Sequence, residues 1–600
     1  MNLEYKKNIS ENFNKFSLLK KNWVKKEINS RLALAISQKY SLSNIISSLL
    51  STRSIDIDKI KNFLKPNIED FFPDPLIFND MDKAAERLIK VIKNKEKVAI
   101  LGDYDVDGLT SIVLLKKYLK LFGVDVFSYI PDRIKEGYGP NKNAIDKIKS
   151  KDPNLLIMLD CGTNSHEIIS YIRNYKIDLI IIDHHKSNEK HLNEVILINP
   201  NTIYDTSGYN FLCSVGLLFV VLHYVQTLLK KDNVYKKDLP EVKSFLDLVA
   251  LGTVCDVVPL IDLNRAFVYQ GLKIFAKRSN IGLKILSDDS QLNKKPNEED
   301  LGFFFGPRIN SGGRVGKPDI GEDLLLSNDE DKLSIIVKQL NTLNYQRKLI
   351  EDKVYEESLK KIFEEKKFNQ NSIFIYKDNW HEGVIGIVAS RLKDKFNKPS
   401  IILTSNKDIY KGSGRSITGI DIGLLVLKAK KENIIINGGG HQMASGLSIK
   451  KENLNLFADF FENYVKEQKT KLKKNDNLYY DEAISINGIN DELIEAIDAI
   501  SPYGVSNSKP KFLISNVRII KPKCVGETKK HLSFLVKDST NKTIKAIIFN
   551  GLDNDLGKTI LSNYKKNLFS FITFVKQSNW KNKIYFELII EDGVLEKVII

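Results

Sequence analysis

Lys97-Val98-Ala99-Ile100-Leu101-Gly102-Asp103-Tyr104-Asp105-Val106-Asp107-Gly108 is the stretch that decides the fold. Its five leading residues read as a short buried strand, and a helical pattern runs from Gly108 to Phe122. The same arrangement returns twice. Leu155 to Leu159 ends in Asp160-Cys161-Gly162-Thr163, and Leu179 to Ile182 ends in Asp183-His184-His185, with helical segments between them. Strand, helix, strand at this spacing predicts a parallel sheet covered by helices, with ligand chemistry at the carboxyl ends of the strands.

Asp103, Asp105 and Asp107 stand at alternate positions just past a strand, and unpaired carboxylates are too costly for a dry core. A solvated turn is the plain reading of such acids. A calcium loop would need an acid at the twelfth position counted from Asp103, where Leu114 stands. A haloacid-dehalogenase nucleophile motif would need Thr where the chain has Leu109. One more acid, Asp256, lies in Leu251-Gly252-Thr253-Val254-Cys255-Asp256-Val257-Val258-Pro259, which reads as a loop. Three strand ends and this loop thus carry carboxylates and imidazoles without thiolate, a donor set suited to Mn²⁺ or Mg²⁺. The donors outnumber the needs of one ion, so two divalent ions are expected.

At 600 residues the chain has room for about four domains. Its 42% apolar and 28% charged residues are those of an ordinary soluble protein. The longest apolar stretch, Leu212 to Val225, is too short to span a bilayer and reads as a buried helix. Met1 to Lys7 has no apolar core of a signal peptide, and Cys161, Cys213, Cys255 and Cys524 form no CxxC pair. A soluble cytoplasmic protein without membrane attachment is expected. The net charge of +16 hints at a polyanionic partner, but most of it is Lys.

Only 13 of the 91 basic residues are Arg, so their places matter. Arg308 and Arg314 flank Ile309-Asn310-Ser311-Gly312-Gly313; Arg347 stands on a helical stretch; Arg391 follows Gly386-Ile387-Val388-Ala389-Ser390; Arg415 ends Gly412-Ser413-Gly414-Arg415. The planar guanidinium binds phosphate oxygens in pairs, so these positions point to phosphate clamps. Surface ion pairs would account for one or two of them. Gly438-Gly439-Gly440-His441 reads either as a tight turn or as a backbone cradle for an anion.

Together the Gly102–Gly108 motif, Asp160, Asp183-His184-His185 and Asp256 resemble the four motifs of the DHH phosphoesterase superfamily, and within it the exonucleases specific for single-stranded DNA. Many superfamily members carry His where this chain has Leu101, and Asp103 is the candidate replacement ligand. Gly412–Ser416 with Gly438–His441 resembles the DHH-associated domain. Ser501–Pro510 and Val525–His531 resemble signatures of the attached OB domain.

The resemblance implies an α/β protein with these parts: an N-terminal helical segment, 1–75; a parallel-sheet DHH domain, 76–326; a connecting helix, 327–367; a smaller α/β DHH-associated domain, 368–465; and an OB-like barrel, 478–600. The polar run at 466–477 reads as a linker or equally as a solvated helix end. The resemblance also implies a 5′→3′ exonuclease that degrades single-stranded DNA to 5′ mononucleotides in recombination and repair. The implied catalytic residues are Asp103, Asp105, Asp107, Asp160, His184, His185 and Asp256, all but His185 as ligands of the two ions, with Asp160 bridging. The implied substrate-binding residues are Arg308, Asn310, Arg314, Arg347, Arg391, Ser413, Arg415, Gly439, Gly440 and His441. Tyr503, Phe534 and Phe549 are candidate stacking residues in the barrel. A monomer working beside a single-strand-binding protein and a helicase is expected. The alternatives are a superfamily phosphodiesterase for oligoribonucleotides or cyclic dinucleotides, whose members lack the barrel, and a non-catalytic DNA-binding scaffold.

Overall fold

The structure is a computed structural model that describes residues 17–598, leaving out 54, 134, 138, 188–194, 232–240, 293, 406–407, 472–475, 527–528 and 581–582. The described chain forms two compact units: Phe71–Val258 with Ala266–Lys473, and the residues up to Asp70 with Pro259–Arg265 and those beyond position 473. Among the described residues no helix is long and apolar enough to cross a membrane.

In the first unit five parallel strands form a sheet in the order Val126–Tyr129, Val98–Gly102, Leu155–Leu159, Asp178–Ile182, Ile196–Ile198. Val98–Gly102 and Leu155–Leu159 are buried at every residue, which is why their sequences run apolar without alternation. Gly102 pairs with Leu159 and Leu159 with Ile182, so the three motif strands end at one level. The two outer strands, of four and three residues, carry runs too short for the sequence pattern to single out. The apolar stretch from Leu212 lies largely in the buried helix Ser214–Lys231. Glu330–Glu364 is the connecting helix.

A second sheet of the same unit has the order Asn437–His441, Ala444–Lys450, Ile409–Arg415, Ser400–Thr404, Ile373–Tyr376. Here the tight-turn reading of Gly438-Gly439-Gly440 fails. These glycines form an edge strand, and Gly439 pairs across Gly446 toward Ser413. The strand accepts them because the helix Ile422–Lys431 presses onto it: a Cβ on Gly438 would lie 2.5 Å from Val426 Cγ1.

The second unit holds a closed five-stranded barrel. Phe512–Val525 pairs with His531–Lys537, then follow Thr543–Ile548, Lys583–Val598 and Asn567–Trp580, which returns to pair with Phe512–Val525. The OB-like barrel expected from the sequence is present. Of the candidate stacking residues, Phe534 is buried in the barrel core and Tyr503 packs against that core with its hydroxyl donating to the Ile497 carbonyl. Phe549 alone is exposed, at 53%.

The helices Ser30–Tyr40, Asn44–Ser51 and Ile60–Leu64 share that core through Ile36, Leu49, Leu50 and Ile60. The N-terminal segment therefore belongs with the barrel; residues 1–16 of it lie outside the described residues. Of the two readings of 466–477, a linker and a helix end, the helix end holds for the first part. Helix Leu454–Lys471 runs through its first part, positions 472–475 lie outside the described residues, and Asn477–Tyr480 pairs in parallel with Asn22–Lys25. Of the OB signature Val525–His531, positions 527–528 also lie outside them.

Candidate active site

Each acid is fixed by the backbone it sits on. Asp105 caps the helix Val106–Leu121, its Oδ1 accepting from Gly108 N at 3.0 Å. Gly108 must be glycine, since a Cβ there would lie 2.5 Å from the Asp103 carbonyl oxygen. Asp107 is fully buried and accepts from Ser214 N at 2.7 Å and Val215 N at 2.9 Å, at the start of the helix Ser214–Lys231. Asp160 holds a left-handed backbone, φ 59°, a strained conformation for this side chain outside a turn. Its N–H donates to the Ile182 carbonyl and to Ser214 Oγ, both at 3.0 Å. Asp256 is not in a loop: it ends the helix Leu246–Cys255, whose backbone carries it toward His184.

These elements bring the donors together in three sets, each with its atoms within 4.8 Å: Asp103, Asp105 and Asp160; Asp107, His184 and Asp256; and Asp160, His184 and His185. His184 Nε2 is 3.2 Å from Asp160 Oδ1, 3.5 Å from Asp256 Oδ2 and 3.8 Å from Asp107 Oδ2. Asp103 thus joins a donor set that the buried, apolar Leu101 could not.

Asp183 belongs to none of these sets but pairs with His185, a member of the third. Its Oδ1 lies 2.7 Å from His185 Nδ1, and its Oδ2 accepts from Thr163 N at 3.0 Å. Asn199 donates to Thr163 Oγ1 and to the His185 carbonyl, both at 2.9 Å. The ring of His441 from the second sheet stacks on His185 at 6.0 Å.

The acids crowd one another electrostatically. Burial, then repulsion from Asp105, pushes Asp103 up to about 8 and Asp107 up to about 7. The same two causes drive Asp160 well above the usual range; for Asp256 they are burial and Asp107. Burial and the neighbouring His185 lower His184 to about 4, leaving it a neutral imidazole. Burial works against charge on His185, but Asp183 outweighs it and lifts the ring to about 9. Asp160 Oδ1 and Asp256 Oδ2 are buried acceptors without a hydrogen bond. Crowded carboxylates, a neutral imidazole and orphaned oxygens fit divalent cations of the hard or borderline kind.

The arginines divide into two groups. Arg347 spends its fork on protein: Nη1 donates to Glu351 Oε2 at 2.5 Å, while Nε and Nη2 donate to Asn344 Oδ1. Arg391 donates to Glu351 Oε1 at 3.0 Å and Asp352 Oδ1 at 2.7 Å. Arg308 donates to Asn341 Oδ1 and the Phe304 carbonyl and lies over the Phe304 ring. Asn310, on the same helix Gly306–Val315, is half-buried.

Arg314 and Arg415 have no carboxylate partner among the described residues. Arg314 donates to the Gly383 carbonyl at 3.0 Å, and Arg415 donates to Ser413 Oγ at 3.1 Å. Arg314 is lowered to about 10, by burial first and then by Arg133. Arg133 escaped the sequence reading. It follows the strand Val126–Tyr129, lies 5.3 Å over the Tyr104 ring, and its charge also bears on Arg415. Its one signal in the sequence is scarcity, as one of 13 arginines; the strand before it leaves no pattern to mark its place. Three like charges without a carboxylate between them await an anion.

The parallel sheet, the clustered Asp/His donors and the glycine-bearing second sheet define a DHH phosphoesterase. Models of the DHH family N-terminal domain, the DHHA1 domain and the RecJ OB domain match residues 97–253, 369–467 and 480–592. The single-stranded-DNA-specific exonuclease RecJ of Bacillus subtilis is 30% identical over 570 residues, covering 94% of this chain and 69% of that protein. The one from Haemophilus influenzae is 30% identical over 544 residues, covering 88% and 92%. The chain belongs to the RecJ family. A crystal structure of RecJ with Mn²⁺ from Thermus thermophilus shares the fold at a TM-score of 0.75 and 21% identity, covering 95% of this chain and 79% of that one.

Proposed function

We propose that the chain is a metal-dependent 5′→3′ exonuclease that degrades single-stranded DNA to 5′ mononucleotides, in DNA recombination and repair. The observation that carries this reading is the meeting, in one compact unit, of the clustered acid donors with three arginines that have no carboxylate partner among the described residues. Its relatives' specificity for single-stranded DNA supplies the substrate. A further solved exonuclease RecJ, 26% identical with a TM-score of 0.56, is bound to manganese.

Asp103, Asp105, Asp107, Asp160, His184 and Asp256 would hold two Mn²⁺ or Mg²⁺ ions, Asp160 shared between them because it belongs to two of the donor sets. Such a pair supplies a nucleophile at neutral pH and stabilises the leaving oxygen. His185, kept charged by Asp183, donates to an oxygen of the scissile phosphate. Arg133, Arg314 and Arg415, with Ser413 and His441, grip phosphates, the strand's terminal one included, and so set the 5′ polarity. The backbone at Gly439 and Gly440 borders that track. Arg347 and Arg391, braced by Glu351, with Arg308 and Asn310, are the further candidates for phosphate contact. The barrel domain, from 478, would extend the strand's track. The domain division is that given by the sequence, with the N-terminal segment joined to the barrel. The reading takes the enzyme as a cytoplasmic monomer acting on strands opened by a helicase and coated by a single-strand-binding protein.

Single strands labelled at the 5′ or the 3′ end, as DNA and RNA, test it with Mn²⁺ and with chelator. Early Mn²⁺-dependent release of the 5′ label from DNA is expected. Release of the 3′ label first would overturn the polarity, and preference for RNA would favour the oligoribonucleotide reading.

A further inference from the structure

His381 caps the helix Glu382–Phe396, its Nδ1 accepting from Gly383 N at 3.1 Å. A backbone N–H can only donate, so the proton of the neutral ring must sit on Nε2. Burial and the charge of Arg133 act to keep the ring neutral, against the pull of Glu382. Nε2–H is therefore a fixed, uncharged donor.

Its surroundings are the carboxylate-free arginines. A Cβ built on Gly383 would lie 2.2 Å from the Arg314 carbonyl oxygen and 3.1 Å from His381 Cε1, so ring and Arg314 backbone border the same point. Arg314 Nη1 donates to the Gly383 carbonyl at 3.0 Å. One turn on, a Cβ at Gly386 would lie 2.9 Å from Ser413 Oγ and 3.2 Å from Arg415 Nη2. Arg314 and the Ser413–Arg415 pair thus border the first turn and a half of this helix, where His381 stands.

We propose that His381 is a specificity-determining residue, donating from Nε2 to the terminal phosphate held by Arg133, Arg314 and Arg415 and so favouring strands with a 5′ phosphate over a 5′ hydroxyl. This rests on the phosphate-gripping reading of those arginines. The donor is neutral and directional, so it counts oxygens where the arginines count charge.

The experiment compares kcat/KM on 5′-phosphorylated and 5′-hydroxyl single-stranded DNA for wild type, His381→Asn and Arg415→Ala, with Mn²⁺ present. Asn keeps a cap acceptor but lacks the second ring N–H. The phosphate preference is expected to fall roughly 10- to 100-fold in His381→Asn, the worth of one hydrogen bond to a charged group. His381→Ser, which also caps, should give the same loss, and neither variant should shift the thermal midpoint. A wild-type preference kept by both His381 variants but lost in Arg415→Ala overturns the role of His381 and leaves the phosphate grip standing. A wild type that shows no preference overturns both.

Discussion

Asp160 Oδ1 lies 3.2 Å from His184 Nε2 and yet accepts no hydrogen bond, in a side chain that is 1% exposed. An oxygen so placed repels its neighbours unless a cation sits between them. Asp160→Asn should therefore abolish Mn²⁺-dependent cleavage, by about 10³-fold or more if the ions contribute several kcal/mol. In chelator the variant should unfold at the same temperature as wild type or higher, because an amide carries no acid for burial and Asp105 to oppose. Mn²⁺ should then raise the midpoint of wild type only. Scanning fluorimetry and a nuclease assay read both, and cleavage retained by the variant would sink the ligand assignment.

The two groups of arginines should respond differently. Arg415 has no carboxylate partner among the described residues, so Arg415→Ala should raise KM roughly 10- to 100-fold with little change in thermal midpoint. Arg391 shares Glu351 with Arg347 and lies 3.9 Å over the Tyr355 ring. Its loss leaves Glu351, 9% exposed, paired with Arg347 alone. Arg391→Ala should lower the midpoint by several degrees, consistent with ~1–3 kcal/mol for a part-buried pair. Its KM should move less than that of Arg415→Ala. Equal KM effects would mean that both touch phosphate.

Glu136 braces the loop that carries Arg133. Its Oε1 accepts from Tyr129 Oη at 2.7 Å, Asn143 Nδ2 at 2.8 Å and Lys147 Nζ at 3.0 Å, and its Oε2 accepts from Asp132 N at 2.9 Å. Burial works to raise its pKa, but these bonds, Tyr129's foremost, hold it down to about 2. A carboxyl lowered on folding stabilises fully above its unfolded pKa, about 4.3, and that stabilisation is lost as the pH falls toward 2. The stability difference between wild type and Glu136→Gln should be flat from pH 5 to 8 and shrink below about 4. Denaturant titration across that range measures it, and a difference growing in acid would contradict the sign.

What could be read in advance follows from how the signal is stored. Val98–Gly102 and Leu155–Leu159 are buried throughout, so five-residue apolar runs betrayed them, and the acids at their ends marked the site. The edge strand Val126–Tyr129 has only Val126 buried and was invisible, and with it the position of Arg133. The glycines of Asn437–His441 carry no strand propensity of their own; Val426 and the neighbouring strand leave no room for a Cβ at Gly438 or Gly440, a purely tertiary fact. For the same reason sequence could list Arg347 and Arg391 beside Arg314 and Arg415 but could not separate them. Only the placement of Glu351 does that.

Phe534 and Phe549 separate stability from binding within the barrel. Phe534 is 2% exposed and packs against Phe571, whereas Phe549 is 53% exposed just past the strand Thr543–Ile548, edge-on to His531 at 5.4 Å. Phe534→Ala should cost about 3–5 kcal/mol of stability, as a large aromatic leaving a cavity does. Phe549→Ala should leave the midpoint within about 0.5 kcal/mol, as surface changes do. If Phe549 offers its face to a base, the same change should weaken single-strand binding by about 1–3 kcal/mol. Fluorescence anisotropy with a labelled oligonucleotide in chelator measures this without turnover. Unchanged binding would remove Phe549 from the strand's path and leave the barrel's lysines to hold it by charge, with a correspondingly steeper dependence on salt.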